Sequence, residues 1–162
     1  MRLIESSFRK KFMGAEDIFP AWDFPDELIR PYYSVLISLI KNKTLSPNHQ
    51  SPFLRGATPL MLAVRLNDLD GIDYLLQNGA DPNQIDHESR LFLTNKSCGM
   101  TALHYAAIMN NSDAYRKLLE AGASENIRNV HGDTASRASE QGVQCIYSGY
   151  VFNENFEIVQ KR

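Results

Sequence analysis

Residues 56–83 read GATPLMLAVRLNDLDGIDYLLQNGADPN, and residues 99–126 read GMTALHYAAIMNNSDAYRKLLEAGASEN. Both stretches have a Gly-x-Thr opening, an Ala in the middle, a Leu-Leu pair and a closing Gly-Ala. A third, weaker copy follows, whose Thr134 lies 33 residues after Thr101, whereas Thr101 lies 43 residues after Thr58. Such an internal period predicts a stack of repeated units, because each unit alone cannot bury its apolar face.

The opening of each copy predicts a short helix. Thr58 and Thr101 suit the position before a helix, because a hydroxyl accepts a hydrogen bond from a free backbone N–H. Pro59 suits the first turn, where no N–H is needed. Apolar residues then recur at i, i+3 and i+4, which predicts helices over 60–65 and 103–109.

A second helix is predicted in each copy, over 70–77 and over 113–120. Each helix ends just before a glycine, Gly79 or Gly122, which readily adopts the left-handed conformation that caps a helix C-terminus. We expect the Leu-Leu pairs of these helices to be buried. The four residues are Leu75, Leu76, Leu118 and Leu119.

The repeated phrase resembles the ankyrin repeat, whose period is about 33 residues and which opens with Thr-Pro-Leu-His-x-Ala. Gly56–Ala63 carries this opening with Met61 where His is usual, and Gly99–Ala107 carries it with His104. The resemblance implies an all-α solenoid of stacked antiparallel helix pairs with hairpin loops. It also implies that His104 makes a structural hydrogen bond between repeats.

The repeat divides the chain into three parts. We predict an N-terminal helical segment and degenerate capping repeat over 1–52, ankyrin repeats over 53–142, and a C-terminal cap or tail over 143–162. The repeat units are 53–86, 96–128 and a partial copy at 129–142, with an insertion at 87–96. Insertions in such stacks map to loops on one face, often the binding face.

The flanking segments leave alternatives open. Residues 1–23 fit a helix that packs on the first repeat or an amphipathic helix on a membrane surface. Residues 24–43 predict a helix interrupted near Pro31. The stretch NKTLSPN at 42–48 takes the place of NGADPN and suggests a degenerate repeat. The aromatic residues after 143 fit a cover for the last repeat or an exposed epitope for a partner.

The composition is that of an ordinary globular chain. Hydrophobic residues make up 43% and charged residues 22%. The net charge of −2 gives no general attraction to nucleic acid. No apolar run is long enough for a predicted membrane span. The two cysteines, Cys98 and Cys145, are too few for a disulfide framework, and the N-terminus lacks a signal-peptide pattern. These features predict a cytoplasmic or other intracellular location.

Motifs for catalysis or cofactor binding are missing from the sequence. Neither G-x-x-x-x-G-K-[ST] nor G-x-G-x-x-G occurs, and no C-x-x-C is present. His87-Glu88 lacks a second His four residues after the first. We therefore predict no enzyme, no cofactor, no metal and no small-molecule substrate. A thiol–imidazole pair of Cys145 with His131 or His104 is the remaining catalytic alternative.

The resemblance implies that the chain binds another protein through the concave ankyrin surface and the inserted loop. The loop contains Leu91-Phe92-Leu93, which fits a hydrophobic finger for a partner or a segment folded back on the repeats. The alternative functions are a ubiquitin-ligase adaptor, since FPDEL at 24–28 is similar to the start of an F-box, and a host-directed effector of an intracellular bacterium. The predicted partner-binding residues are Leu54, Arg55, Arg65, Leu66, Leu91, Phe92, Leu93, Met100, Ile108, Met109, His131 and Asp133.

Overall fold

A computed structural model describes residues 25–52, 54–86 and 99–140 of the chain, and the backbone of two short strands at 150–152 and 158–160. These ranges contain eight regular elements. In chain order they are α1 Asp26–Lys41, α2 Pro59–Arg65, α3 Leu69–Gln77, α4 Ala102–Ile108, α5 Ser112–Glu120, α6 Ala135–Glu140, β1 Tyr150–Phe152 and β2 Ile158–Gln160.

The helices form two complete pairs that stack side by side. Inner helix α2 pairs with outer helix α3, and α4 pairs with α5. Between the pairs, α2 packs on α4 and α3 packs on α5, while α1 and α6 pack on the two ends of the inner layer. The predicted helical solenoid is confirmed. In the C-terminal segment, β1 and β2 pair antiparallel, with Tyr150 opposite Gln160.

The inner helices begin with matching reciprocal caps. Thr58 Oγ1 accepts from Met61 N at 3.3 Å, and Thr58 N donates to Met61 Sδ at 3.3 Å. In the next repeat, Thr101 Oγ1 accepts from His104 N at 3.4 Å, and Thr101 N donates to His104 Nδ1 at 3.2 Å. The sulfur of Met61 therefore takes the acceptor role that the imidazole nitrogen has in His104, so the missing His does not disrupt the capping box.

The outer helices end at the predicted glycines. Gly79 and Gly122 have φ angles of 88° and 89°. Ala80 N donates to Leu75 O, and Ala123 N donates to Leu118 O, both at 2.9 Å. These are the long hydrogen bonds of the Schellman motif, which satisfies carbonyl groups at the end of a helix. The motif turns the chain out of each outer helix and toward the next hairpin.

Helix α1 is continuous through Pro31, so the prediction of an interruption there is wrong. Pro31 removes one N–H donor in the second turn. The loss is tolerated because the helix buries a full apolar face against the first repeat. The buried residues of this face are Leu28, Ile29, Tyr32, Tyr33, Leu36 and Ile40.

Only one leucine of each Leu-Leu pair is fully buried. Leu75 and Leu118 are completely inaccessible, whereas Leu76 is half-buried and Leu119 is 36% exposed. Neighbouring residues on a helix point about 100° apart, and the outer helices contact the core on one face only. The prediction that both members are buried is therefore wrong for Leu76 and Leu119.

Two asparagines join successive repeats in the same way. Asn48 Nδ2 donates to Gly79 O at 3.0 Å, and Asn48 Oδ1 accepts from Asp81 N at 2.7 Å. Asn83 makes the same pair of bonds one repeat later, to Gly122 O at 3.1 Å and from Ser124 N at 2.7 Å. This equivalence favours a degenerate repeat before the first full copy. The division of the chain into three parts stays a prediction.

Candidate protein-binding face

Three connecting segments, here called fingers, precede the two inner helices and α6. Finger 1 spans 51–57, finger 2 spans 86–100 and finger 3 spans 129–133; only the two ends of finger 2 belong to the described residues. One backbone hydrogen bond closes each finger, from the N–H of its first residue to the C=O of its last. The bonds are Ser51 to Ala57 at 3.0 Å, Asp86 to Met100 at 2.9 Å and Asn129 to Asp133 at 2.9 Å.

The first side chain of each finger also accepts hydrogen bonds from the backbone of that finger. Ser51 Oγ accepts from Leu54 N at 3.2 Å. Asp86 Oδ1 accepts from Met100 N at 2.7 Å. Asn129 Oδ1 accepts from His131 N at 2.9 Å and from Asp133 N at 3.0 Å. Since the base of each finger is satisfied locally, the number of residues beyond the base can differ between repeats.

Asp86 is the ionisable member of this set, and it is buried. Its second oxygen, Oδ2, accepts from the hydroxyl of Tyr105 at 3.1 Å. Burial raises the pKa of the carboxyl to about 7, although the hydrogen bonds from Met100 and Tyr105 and the charge of Arg55 act in the opposite direction. A buried carboxyl that titrates near neutral pH therefore lies at the neck of the inserted loop.

His104 joins α4 to finger 3. Its Nε2 lies 3.1 Å from the backbone oxygen of Asp133, and its Nδ1 lies 2.8 Å from Thr101 Oγ1. Burial lowers the pKa of the imidazole, which favours the neutral ring. With Nδ1 accepting from Thr101, Nε2 carries the proton and donates to Asp133. The predicted structural hydrogen bond between repeats is confirmed.

Three residues predicted to line the exposed surface are buried instead. Leu54, Leu66 and Met100 all belong to the hydrophobic core. In finger 1, the bond from Leu54 N to Ser51 accompanies the inward position of Leu54. Both backbone polar groups of Met100 bond to Asp86, and its side chain packs beside Asn129. The prediction that these residues are exposed is wrong, because Leu54 of finger 1, Met100 of finger 2 and Leu66 at the end of α2 all pack in the core.

The two predicted surface arginines have intramolecular roles. Arg65 Nη1 lies 2.8 Å from Asp26 Oδ1, and the Arg65 side chain is only 13% exposed. This ion pair ties α2 to the first turn of α1. Arg55 is half-buried, and its charge acts on Asp86. Neither residue is the freely exposed cation that was predicted.

The remaining predicted residues differ in exposure. Met109 is 37% exposed, and His131 is exposed at the tip of finger 3. Ile108 is half-buried against the core. Asp133 Oδ1 forms an ion pair with Arg137 Nε at 3.0 Å. Leu91, Phe92 and Leu93 lie outside the described residues.

Two further apolar side chains are exposed in or directly beside the fingers. Ile85, directly before finger 2, is 38% exposed, and Val130 in finger 3 is 45% exposed. Neither was among the predicted binding residues. The available signal was a single aliphatic residue in each of two polar segments, QID and NVHG.

Met109 lies beside an open groove of about 320 Å³ at the C-terminal ends of α2 and α4. Asn111 Nδ2 donates to Asn67 Oδ1 at 2.8 Å and links the two repeats there. The groove offers a flexible apolar side chain next to amide groups that can bond a peptide backbone. It is lined by Val64, Arg65, Asn67, Met109, Asn110, Asn111, Ser112 and Asp113.

These features define a class of protein, a short stack of helix pairs with hairpin fingers. The family model "Ankyrin repeat" matches residues 55–87, and the model "Ankyrin repeats (many copies)" matches residues 85–135. The chain belongs to the ankyrin-repeat family. Ankyrin repeats are generally protein–protein interaction modules and generally non-catalytic. Among the described helices, none combines the length and apolar character needed to cross a membrane.

Several curated proteins are similar to this chain. A putative ankyrin repeat protein, FPV031 of Fowlpox virus (strain NVSL), is 32% identical over 132 residues, which are 82% of this chain and 33% of the viral protein. Neurogenic locus notch homolog protein 1 of Danio rerio is 38% identical over 79 residues, 49% of this chain and 3% of that protein. SH3 and multiple ankyrin repeat domains protein 2 of Homo sapiens is 36% identical over 98 residues, 60% of this chain and 5% of that protein. This chain thus spans a third or less of each relative.

Proposed function

We propose that this chain binds a partner protein through its fingers and the groove beside Met109. One observation carries the proposal. Among the described residues, four large apolar side chains are markedly exposed, and three of them, Ile85, Met109 and Val130, lie in or directly beside a finger or at the end of an inner helix. The fourth, Leu119, lies on outer helix α5. Exposed apolar side chains on the fingers and inner helices are candidate contacts for a partner that lies along them.

The chemistry of this face suits a protein better than a small ligand. The groove is open and mixes one methionine with asparagine amides, whereas small-molecule sites are enclosed and mainly apolar. Methionine adapts its shape to a partner surface. We propose that the inserted loop, with Leu91-Phe92-Leu93, adds to this contact. A non-catalytic role and an intracellular location are parts of the same proposal.

The test uses two probes and one matched control. A photo-crosslinking residue at position 109 or 130 should capture one and the same partner, and the same residue at position 119 should not. Met109→Glu and Val130→Glu should each weaken affinity for that purified partner by at least tenfold, because an anchor at an interface centre contributes about 2 kcal/mol or more. Leu119→Glu is the control, because Leu119 is as exposed as Met109 but lies on an outer helix.

Equal affinity loss in all three variants would indicate general destabilisation, and no loss in the two probes would overturn the proposal. Melting temperatures measured on the same samples separate these outcomes. A charge reversal at Arg65 is a poor probe, since it also breaks the ion pair with Asp26.

The adaptor and effector alternatives stay predictions. An F-box-like role for FPDEL needs its apolar side chains to face an adaptor. Leu28, the last residue of that stretch, is buried against the first repeat together with Ile29. This burial favours a capping role for α1. Binding of a purified ubiquitin-ligase adaptor subunit to the full chain would test the alternative directly.

A further inference from the structure

Finger 2 differs from the other two fingers in the chemistry of its neck. Ser51 and Asn129 are neutral, yet both accept side-chain hydrogen bonds from the backbone of their own finger. Asp86 does the same work in finger 2 with a carboxyl group. Its partner Tyr105 stands where the first repeat has Leu62. The carboxyl and the tyrosine hydroxyl that donates to it therefore occur together, in the repeat that carries the inserted loop.

An ionised Asp86 is expensive to bury. The closed neck provides two donors to the carboxylate, the N–H of Met100 and the hydroxyl of Tyr105. Burying a charge in an apolar core disfavours the charged form unless it is well compensated. In finger 3, neutral Asn129 accepts from the equivalent backbone N–H, that of Asp133. Ionisation of Asp86 is therefore not needed to close the neck of finger 2.

The protonated form keeps both contacts. A proton on Oδ2 can be donated to the Tyr105 oxygen, while Oδ1 still accepts from Met100 N–H. Among the described residues, Arg55 of finger 1 is a charged group whose field acts on Asp86. His104 is the neighbouring titratable side chain on α4, and its ring faces Thr101 and Asp133. The closed neck thus accommodates the neutral acid with little rearrangement.

We propose that Asp86 makes the neck of finger 2 a proton-responsive hinge, which is closed when the carboxyl is protonated and loosens when it ionises. The direction follows from linkage. The closed neck raises the pKa of Asp86 to about 7, whereas an opened neck leaves the carboxyl in water at its ordinary value. The closed form binds the proton more tightly than the open form. Opening therefore becomes easier as pH rises from the ordinary pKa of an aspartic acid toward 7, and the effect levels off above about pH 7.

The hinge regulates the binding face, and that part of the inference rests on the proposed function. Exposed Ile85 directly precedes Asp86, so loosening the neck changes the position of an apolar side chain offered to the partner. Affinity for the partner should therefore differ between pH 6 and pH 8 in the natural chain. Asp86→Asn should remove that difference.

The test of the hinge itself needs no partner. Amide hydrogen exchange measured by NMR, corrected for intrinsic rates, reports how often Met100 N–H loses its bond to Asp86. Its protection should fall about tenfold per pH unit between pH 5 and pH 7 and then level off. The amide of Asp133, bonded to neutral Asn129 in finger 3, is the matched control and should show no such change.

Two variants make the test decisive. Asp86→Asn should give the Met100 amide constant protection across this range. Tyr105→Phe should keep the pH dependence and move its midpoint upward, since the tyrosine hydroxyl lowers the pKa of Asp86. A merely structural role for Tyr105 would lower protection without moving the midpoint. Constant protection in the natural chain, or protection that rises with pH, would overturn the hinge. Either result leaves the crosslinking test of the binding face unaffected.

Discussion

At the residue scale, Met61 and His104 hold equivalent positions in their repeats but make different contacts. Both side chains complete the cap of an inner helix. Only the imidazole has a second polar atom, Nε2, which reaches the backbone oxygen of Asp133 in finger 3. Met61 keeps the cap but contributes no second polar group that could reach finger 2. Finger 2 is instead held by Asp86 and Tyr105, so successive fingers are fixed by different chemistry on the same backbone.

The adjacent leucines of α5 give a test of burial at single-residue resolution. Leu118 is completely buried and Leu119 is 36% exposed, although both belong to the same helical turn. Leu118→Ala should lower the free energy of unfolding by about 2–5 kcal/mol, because it leaves a cavity in the core. Leu119→Ala should lower it by less than about 1 kcal/mol. Urea titration of both variants measures the difference, and equal losses would contradict the packing of α5.

At the element scale, the sequence predicted the helices well and the fingers poorly. Helix starts and ends were readable because Thr58, Thr101, Gly79 and Gly122 act through local hydrogen bonds or local backbone conformation. The four helices of the two full repeats were predicted to within about one residue. The burial of Met100 could not be predicted from the sequence, because its backbone bonds to Asp86, which lies 14 residues earlier in the chain.

The continuity of α1 could not be predicted from the sequence for a related reason. Pro31 disfavours a helix by a local rule, and the rule is overridden by the burial of Leu28, Tyr32 and Leu36 against the first repeat. Packing between elements decided the outcome there. In the candidate site, the same limitation applies to Arg65, whose partner Asp26 lies in a different helix.

The C-terminus of α1 offers a stabilising change. Lys43 has a φ angle of 54° and holds the position that Gly79 and Gly122 hold after the outer helices. Thr44 N donates to Leu39 O at 2.9 Å, which is the same long bond of the Schellman motif. A residue with a Cβ in this conformation costs roughly 1–2 kcal/mol.

Lys43→Gly should therefore raise the free energy of unfolding by about 1 kcal/mol, after the greater chain entropy of glycine is included. Ser38→Gly is the control, because Ser38 is exposed in the interior of the same helix, and it should destabilise by about 0.5 kcal/mol. Thermal unfolding of the two variants should shift in opposite directions. A loss of stability in Lys43→Gly would show that the cap differs from the one described.

At the scale of the whole molecule, the stack behaves as a row of units joined by neighbour contacts. In such a row, stability is a sum of unit terms and interface terms. Asn48 joins α1 and its turn to the first full repeat, and Asn83 joins the first full repeat to the second. The two residues make equivalent bonds at different places in the row. One lies near the end of the described stack and the other lies in its centre.

This placement predicts different consequences for the same substitution. Each Asn→Ala change removes two hydrogen bonds and leaves a backbone carbonyl and a backbone N–H without that partner, at a cost of about 1–3 kcal/mol. In Asn48→Ala, the loss falls on a terminal interface, so α1 should open separately. Its amides should exchange faster, while those of α4 and α5 keep their protection. In Asn83→Ala, the loss falls on the central interface, so protection should drop in the helices on both sides. Hydrogen exchange followed by mass spectrometry distinguishes the two patterns, and urea titration gives the global loss. If Asn48→Ala instead lowered protection evenly from α1 to α5, the stack would be unfolding as a single cooperative unit, and α1 would be as integral to it as the full repeats.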